Sequence, residues 1–418
     1  MSGNSEEDKV HRVASGGLLL GVCLGAGNVL GYAFALLVSR GLGPDDFGAF
    51  SAVNNLGLLL TLPAGAFQVV IARHQANHEF RHTGLGMALA MGATLAALTI
   101  ALSPLAVHVF DLNSAWPVLL LAAMLPGFTL TGAFQGMLLG RERFAALSLI
   151  YVVIAVSRVV AALVASAIGM DVTGMFGALL LASLVPVALG LFLCRDYLQL
   201  HHRRHGLDWP LLIELIRSNG TLAVLLALTS VDVLLARGFL SPDEAGAYAF
   251  AALFGRIVFW GTQFVALSIV PEIEHIHARR LVLQALGVVV GLGTVVTVGA
   301  ALGPTWVIDH TGGADYELAA DLVVPFALVG TLWACVQVLL FAEMARAGAT
   351  LGLWSWIAVG AETVLLLVVR PTTGGGLLAI AAGTAAIIVV AGLMQLLRRP
   401  DRVDRPEPSE VLPSVVVI

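Results

Sequence analysis

The chain alternates long runs of apolar residues with short polar breaks along most of its length. A bilayer core of roughly 30 Å is crossed by a helix of about 20 apolar residues. The runs are continuously apolar, without the alternation of a strand that faces a lumen, so they favour helices over a β-barrel. The pattern predicts twelve transmembrane helices, at residues 16–38, 48–71, 84–108, 115–139, 145–168, 172–194, 213–236, 246–270, 282–303, 319–342, 348–369 and 376–397.

Composition agrees with a membrane protein of many spans. Hydrophobic residues make up 58% of the 418 residues and charged residues 12%, with a mean hydropathy of +0.93. A soluble core and surface cannot accommodate this excess. Residues 1–15 form a polar tail before a run too long for a cleaved signal peptide, so the first helix is expected to be retained. The cysteines Cys23, Cys194 and Cys335 lie in or beside apolar runs and indicate no disulfide framework.

The basic residues give the predicted spans an orientation. Cytoplasmic loops of membrane proteins are enriched in Lys and Arg. With the N-terminus inside, the predicted outer loops keep only Arg40, Arg237 and Arg370 of the 22 basic residues. Both termini are therefore predicted to be cytoplasmic.

The loops leave little room for a catalytic domain. The longest connections are residues 195–212 and 304–318, and the composition of residues 398–418 is typical of a disordered tail. No phosphate-binding P-loop motif is present. The run HHRRH at residues 201–205 suits either a metal site or a basic loop at anionic headgroups, and its context favours the loop. We expect no enzyme activity, no cofactor and no metal site.

An internal repeat divides the chain. LLVSRGLGPDDFGAF at residues 36–50 corresponds to LLARGFLSPDEAGAY at residues 234–248, with one residue inserted in the second copy. Six helices separate the copies, so the predicted fold is all-α, with two six-helix lobes related by an axis along the membrane normal. The lobes are residues 16–194 and 213–397, joined by a cytoplasmic linker at 195–212.

Each copy places a basic residue, Arg40 or Arg237, before a proline and two acids. Proline and acids suit the first turn of a helix without any further function. The arginines have two interpretations. Either they reach lipid phosphates, or they lie at the outer mouth of a cavity and contact an anionic substrate.

The paired segments of the form R-x-L-x-P-(D/E)-(D/E)-x-G-x-(F/Y), and the stretch at residues 230–260 above all, resemble the polysaccharide-transporter branch of the multidrug, oligosaccharidyl-lipid and polysaccharide (MOP) exporter superfamily. The resemblance implies a flippase in the bacterial cytoplasmic membrane. Its expected substrate is an undecaprenyl-pyrophosphate-linked oligosaccharide for cell-surface polysaccharide biosynthesis. Fourteen-span members carry an extra pair of C-terminal helices, and functions tied to that pair are not expected here.

Four ionisable residues fall inside predicted spans, and such groups normally face a cavity or a partner. Arg256 is the first candidate for contact with a pyrophosphate or an acidic sugar, and Arg158 is the second, because guanidinium binds phosphate in a bidentate way. Asp232, and after it Glu362, can change protonation when desolvated, which suits coupling to H⁺ or Na⁺. Alternatively, the two cations and two anions form buried pairs that hold helices in register.

Neutral polar residues form a second tier. Asn54 and Asn55 occupy span 2, and Gln135, Gln263 and Gln337 lie in other spans. These amides suit either sugar hydroxyls or hydrogen bonds between helices. The aromatic residues Trp116, Trp209 and Trp306 are expected at the membrane interfaces.

The leading function is thus flippase activity by alternating access, with a polysaccharide polymerase or glycosyltransferases as possible partners. The runner-up is a small-molecule or multidrug exporter of the same superfamily. An integral-membrane polymerase or ligase would need a sizeable outer loop. A transport-dead scaffold would tolerate alanine at Arg256 and Asp232.

Overall fold

The computed structural model describes residues 3–76, 83–198, 220–269, 278–303, 306, 308, 311–346 and 348–398, and its regular elements there are all helical. The helices are α1 (Gly3–Leu60), α2 (Leu62–Ala76), α3 (Thr83–Ala101), α4 (Ser103–Val109), α5 (Trp116–Gly140), α6 (Phe144–Ala167), α7 (Val172–Leu198), α8 (Gly220–Leu228), α9 (Val231–Phe239), α10 (Pro242–Gly261), α11 (Gln263–Ile269), α12 (Ala278–Ala301), a 3₁₀ helix (Ala314–Ala319), α13 (Ala320–Ala345), α14 (Thr350–Val369) and α15 (Gly374–Arg398).

The predicted fold class is confirmed. Among the described residues, 11 helical stretches are long and apolar enough to cross a membrane. The first of them, Leu19–Gln75, contains two of the predicted spans, because the helix continues through a kink. Every span predicted from hydropathy contains helix in the structure, although spans 2, 3, 7 and 8 are interrupted by short breaks; residues 213–219 of span 7 and residue 270 of span 8 lie outside the described part of the chain.

Both copies of the repeat interrupt the helical backbone just before a proline, but with different backbone geometry. In the first copy Gly43 takes φ +72°, a region that glycine enters without the penalty of a Cβ, and Pro44 follows it. In the second copy Leu240 is extended and Pro242 begins α10. The Ser241 backbone N–H donates to the Glu244 carboxylate over 3.2 Å. Proline and the acids therefore serve to start helices, as the sequence predicts.

Span 7 is confirmed as a candidate membrane span over Gly220–Phe239, but it is a discontinuous helix, which hydropathy does not predict. It ends at Leu228 and restarts at Val231. The Thr229 hydroxyl donates to the Leu225 carbonyl over 3.0 Å, which competes with the regular helical bonds. Residues 199–219, including Trp209 and the HHRRH run, lie outside the described residues.

The chain divides into two compact units, Met1–Asn219 and Gly220–Ile418. In the first unit, α5 packs against α2, α3 and α7. Gly132, Gly136 and Gly140 follow each other at intervals of four along α5 and lie against the backbone of α2. A Cβ on Gly136 would be 2.6 Å from the Gln68 carbonyl oxygen. Close backbone approach at small residues is the usual packing of membrane helices.

The second unit repeats this arrangement. Its α13 packs against α10, α12 and α15, and Gly255 of α10 lies directly against Gly330 of α13. The second span of each unit is also broken at a threonine, Thr61 in one and Thr262 in the other. The internal repeat therefore extends well beyond the segments that reveal it in the sequence.

Candidate transport site

A cavity of about 230 Å³ lies within the first unit. Side chains from α1, α5, α6 and α7 line it, among them Asn54, Gln135 and Arg158. A second cavity of about 230 Å³ lies between α1 and α6, and it shares Ile154 and Arg158 with the first. Arg158 therefore borders both spaces.

Arg158 is held by an aromatic ring rather than by an acid. Its Cζ lies 4.5 Å from the centre of the Phe34 ring, within the range of a cation–π contact. Among the described residues, Arg158 makes no ion pair and no hydrogen bond. In the described part of the structure, Arg158 is therefore not half of a buried ion pair, which was the alternative interpretation.

The two asparagines predicted as substrate contacts are placed differently. Asn54 lines the first cavity. Asn55 is buried, and its Nδ2 donates to the Ser51 carbonyl oxygen over 2.7 Å. Only Asn54 thus faces the cavity.

The second unit buries two carboxyl groups. Asp232 at the start of α9 has no exposed surface, and its Oδ2 accepts a hydrogen bond from the Tyr248 hydroxyl over 2.8 Å. Glu362 on α14 is 1% exposed. Within the described residues, Asp232 Oδ1 and both carboxyl oxygens of Glu362 lack a hydrogen-bond partner.

These groups form one cluster. Asp232 and Glu362 are close enough to interact electrostatically with each other and with Tyr248. Arg256 of α10 interacts electrostatically with Asp232. Its Nη2 donates to the Thr229 carbonyl oxygen over 2.9 Å, at the break in span 7. A discontinuous helix beside buried charges is the typical geometry of a transporter ion site.

The matched arginines of the repeat differ in exposure. Arg40 is exposed, whereas Arg237 is 5% exposed. Reaching lipid phosphates requires an accessible head group, so that interpretation fits Arg40 and does not fit the burial of Arg237.

Tyr248 is the site residue that the sequence analysis did not single out. It stands where the first copy of the repeat has Phe50, and the position that matches Asp232 is Ala35. One copy therefore has alanine and phenylalanine where the other has an acid and the phenol that hydrogen-bonds to it. This paired difference was visible in the sequence, but only the structure shows that the two residues touch.

The two-unit helical fold is similar to that of solved membrane transporters. The lipid II flippase MurJ in an inward closed conformation matches with a TM-score of 0.72 at 13% identity, over 92% of this chain and 88% of that chain. An inward-facing multidrug resistance MATE family transporter of the MOP superfamily matches with a TM-score of 0.67 at 15% identity, over 89% and 94%. A MOP superfamily transporter from Pyrococcus furiosus matches with a TM-score of 0.53 at 14% identity, over 92% and 95%.

The sequence match concerns the first unit. Residues 37–208 match the sequence model of a family described as polysaccharide biosynthesis protein. Together with the fold, this confirms the predicted resemblance to the flippases and exporters of the MOP superfamily. No curated protein matches the chain in sequence.

Proposed function

We propose that the protein is a flippase that moves an undecaprenyl-pyrophosphate-linked oligosaccharide across the bacterial cytoplasmic membrane by ion-coupled alternating access. The observation that carries the proposal is that each unit holds ionisable groups in its interior. The first unit presents Arg158 to a cavity whose described lining residues include no acid. The second unit buries Asp232 and Glu362, with Arg256 beside Asp232.

A guanidinium at a cavity in one unit and two neighbouring carboxyl groups in the other suit a transporter that couples an anion-bearing substrate to a cation. A half-buried guanidinium with no acid beside it among the described residues suits an anion, because an uncompensated charge in a low-dielectric interior is costly. Two neighbouring carboxyl groups are relieved by a proton or by Na⁺. In this proposal Asp232 and Glu362 couple transport to the ion.

The remaining candidates extend the substrate path. Arg256, Arg158 and Asn54 are proposed to contact the substrate and Arg40 to receive it at the outer side, whereas the burial of Asn55 and Arg237 does not favour the same role for them. Both termini are proposed to be cytoplasmic, as the distribution of Lys and Arg among the loops predicts. Glycosyltransferases or a polysaccharide polymerase are the enzymes that would supply or consume such a substrate.

Deletion of the gene tests the proposal. Lipid-linked oligosaccharide should accumulate on the cytoplasmic leaflet, since its exit is blocked. Wild-type protein and Arg195→Ala, a change at an exposed arginine, should restore export, whereas Arg256→Ala at equal membrane abundance should not. Absence of any lipid-linked intermediate in the deletion strain would refute flippase activity.

A second candidate function is export of small amphipathic anions. It is favoured by the size of the first cavity, because about 230 Å³ falls below the roughly 300–1,000 Å³ of drug-sized sites. Sensitivity of the deletion strain to small anions, without any lipid-linked intermediate, would select this function.

A further inference from the structure

The carboxyl group of Glu343 joins three helices at one end of the second unit. Glu343 lies in the last turn of α13 and is 7% exposed. Its Oε2 accepts hydrogen bonds from the backbone N–H groups of Leu351 (2.7 Å) and Gly352 (3.1 Å), in the first turn of α14. Its Oε1 accepts a hydrogen bond from Gln395 Nε2 of α15 over 2.7 Å. Both oxygens are therefore engaged in connecting helices.

This connection matters most for α14, which lies at the edge of the unit. The helix packs chiefly against α15, α8 and α9 and touches α13 only slightly. The central helix is α13, because α10, α12 and α15 all pack against it. The turn between α13 and α14 fits closely around the acid, since a Cβ on Gly348 would lie 2.7 Å from Glu343 Cγ. Glu343 therefore fixes the start of a peripheral helix to the central one.

The face of α14 that Glu343 holds is the face that carries Glu362. The buried residues of α14 recur every three or four positions, which places them on one side of the helix. They are Leu351, Ser355, Val359, Glu362 and Leu366. The first of them donates its backbone N–H to Glu343, and Glu362 follows about 16 Å further along the helix axis.

The two helices that Glu343 joins meet again at the carboxyl pair. Thr384 of α15 is 8% exposed and interacts with Glu362 of α14. Glu362 in turn interacts electrostatically with Asp232 of α9. Because a helix moves as a rigid element, a rotation or a shift at the first turn of α14 is carried to this contact.

We propose that Glu343 is a positioning residue for the carboxyl pair Asp232 and Glu362. By holding the first turn of α14 to α13 and α15, it sets the rotation and the axial position of α14, and with them the place of Glu362 beside Asp232. This inference rests on the proposed function, in which the pair couples transport to an ion. It deepens that function by adding a residue that acts on the pair from a distance.

The first measurement is the rate at which dicyclohexylcarbodiimide modifies Glu362. This apolar reagent reacts with carboxyl groups in apolar surroundings. Purified full-length protein in detergent is treated with it, and mass spectrometry of the peptide that contains Glu362 gives the rate. Glu362 is 1% exposed, so the reagent reaches it only when the surrounding helices open locally.

Glu343→Gln should raise this rate by about threefold or more, because the amide brings N–H donors against the donors that the carboxylate accepts. Gln395→Met removes only the connection to α15 and should raise the rate less. The double variant Glu343→Gln with Gln395→Glu places the carboxylate on the other side of the same contact. It should return the rate to within about twofold of the wild type.

Gly293→Ala is the matched control for a general loss of stability in the same unit. Its Cβ would press against Thr331, where α12 packs against α13, and it leaves the hydrogen bonds of Glu343 intact. The rate at Glu362 should stay that of the wild type.

The second measurement is the half-saturating concentration of the coupling ion in proteoliposomes. Glu343→Gln should raise it by about threefold or more, and the double variant should restore it. A loss of stability alone lowers the maximal rate, because fewer molecules are folded, and leaves the half-saturating concentration unchanged. Gly293→Ala should show that pattern.

Unchanged modification of Glu362 in both Glu343→Gln and Gln395→Met would overturn the proposal, and so would an equal increase in Gly293→Ala. The first measurement involves no transport. If Glu362 responds to Glu343 while no lipid-linked intermediate accumulates in the deletion strain, the proposed function fails and the positioning role stands. Unchanged modification together with accumulation of the intermediate would reject the positioning role alone.

Discussion

At the scale of single residues, the ionisable groups inside the helices are stabilised in different ways. Arg256 donates to a carbonyl oxygen left by the break in span 7, and Asp232 accepts from Tyr248. Arg158 has an aromatic ring but no acid or hydrogen-bond acceptor among the described residues. Such a group has a cost in stability that its described contacts offset only in part, and this cost is the basis on which we propose Arg158 as a binding residue.

Removal of the Arg158 charge should therefore stabilise the protein. Arg158→Leu is expected to raise the free energy of unfolding by about 1–3 kcal/mol, because it deletes an uncompensated charge from an apolar interior. Thermal unfolding in detergent measures the change. The exposed control Arg195→Leu should stay within about 0.5 kcal/mol of the wild type. A clear loss of stability in Arg158→Leu would show that the arginine has a structural partner.

The Tyr248 hydroxyl should matter through Asp232. Tyr248→Phe removes the hydroxyl that donates to the buried Asp232 carboxyl group, so it should cost about 1–3 kcal/mol. In a background that carries Asp232→Leu the same change should cost far less, because the acceptor is gone. Chemical denaturation of the four proteins gives this coupling energy. Equal costs in both backgrounds would mean that the hydrogen bond adds nothing.

At the scale of elements, the packing of helices is set by glycines and by one buried acid. Gly136 and its neighbours bring α5 against the backbone of α2. Glu343, at the end of α13, accepts hydrogen bonds from the backbone N–H groups of Leu351 (2.7 Å) and Gly352 (3.1 Å). It also accepts from Gln395 Nε2 over 2.7 Å. One carboxylate thus caps the start of α14 and joins it to α13 and α15.

Gly136→Ala should separate α5 from α2. The added Cβ would lie 2.6 Å from a backbone oxygen, which cannot rotate away, so a loss of about 1–3 kcal/mol is expected. Gly177→Ala, where a Cβ meets no atom within 4 Å, is the control in the same unit. Thermal unfolding measures the loss of stability in both variants. Equal losses would indicate a general effect of alanine rather than close packing at Gly136.

Glu343→Ala should destabilise the second unit by about 0.5–2 kcal/mol, the usual cost of losing a helix cap. Proteolysis of the native protein near residue 350 should become faster, because the first turn of α14 loses its acceptors. Glu317→Ala, at an exposed acid, is the control. Unchanged proteolysis at residue 350 would show that α14 begins without the help of Glu343.

At the scale of the whole molecule, the two units differ in what they can bind. The first unit places Arg158 at a cavity, and the second unit buries the carboxyl groups of Asp232 and Glu362. Arg256, which is proposed to contact the substrate, interacts electrostatically with Asp232, so the substrate and the coupling ion are expected to influence each other's binding.

The double variant Asp232→Asn and Glu362→Gln should lose ion-dependent transport in proteoliposomes by about tenfold or more. A side-chain amide neither binds and releases a proton nor carries the negative charge that attracts Na⁺. Transport that keeps the ion dependence of the wild type would remove the two acids from the coupling mechanism.

Sequence alone determined the spans, the repeat and the presence of charges inside the membrane. Hydropathy sums the preference of each residue for lipid over water within a short window of sequence. It therefore locates membrane helices without information about the helices that pack beside them. Breaks at Thr229 and Thr262 escaped it, because a threonine hydroxyl competes with the helix without lowering the apolar average.

The tertiary structure decided which polar groups have partners. From the sequence, Arg158 and Arg256 are both candidates for contact with the substrate, and Arg40 and Arg237 occupy matched positions of the repeat. The structure gives Arg256 a carbonyl acceptor and leaves Arg158 to a cavity, and it exposes Arg40 while burying Arg237. These differences depend on helices that are distant in sequence and on the direction each side chain faces, which no local pattern contains.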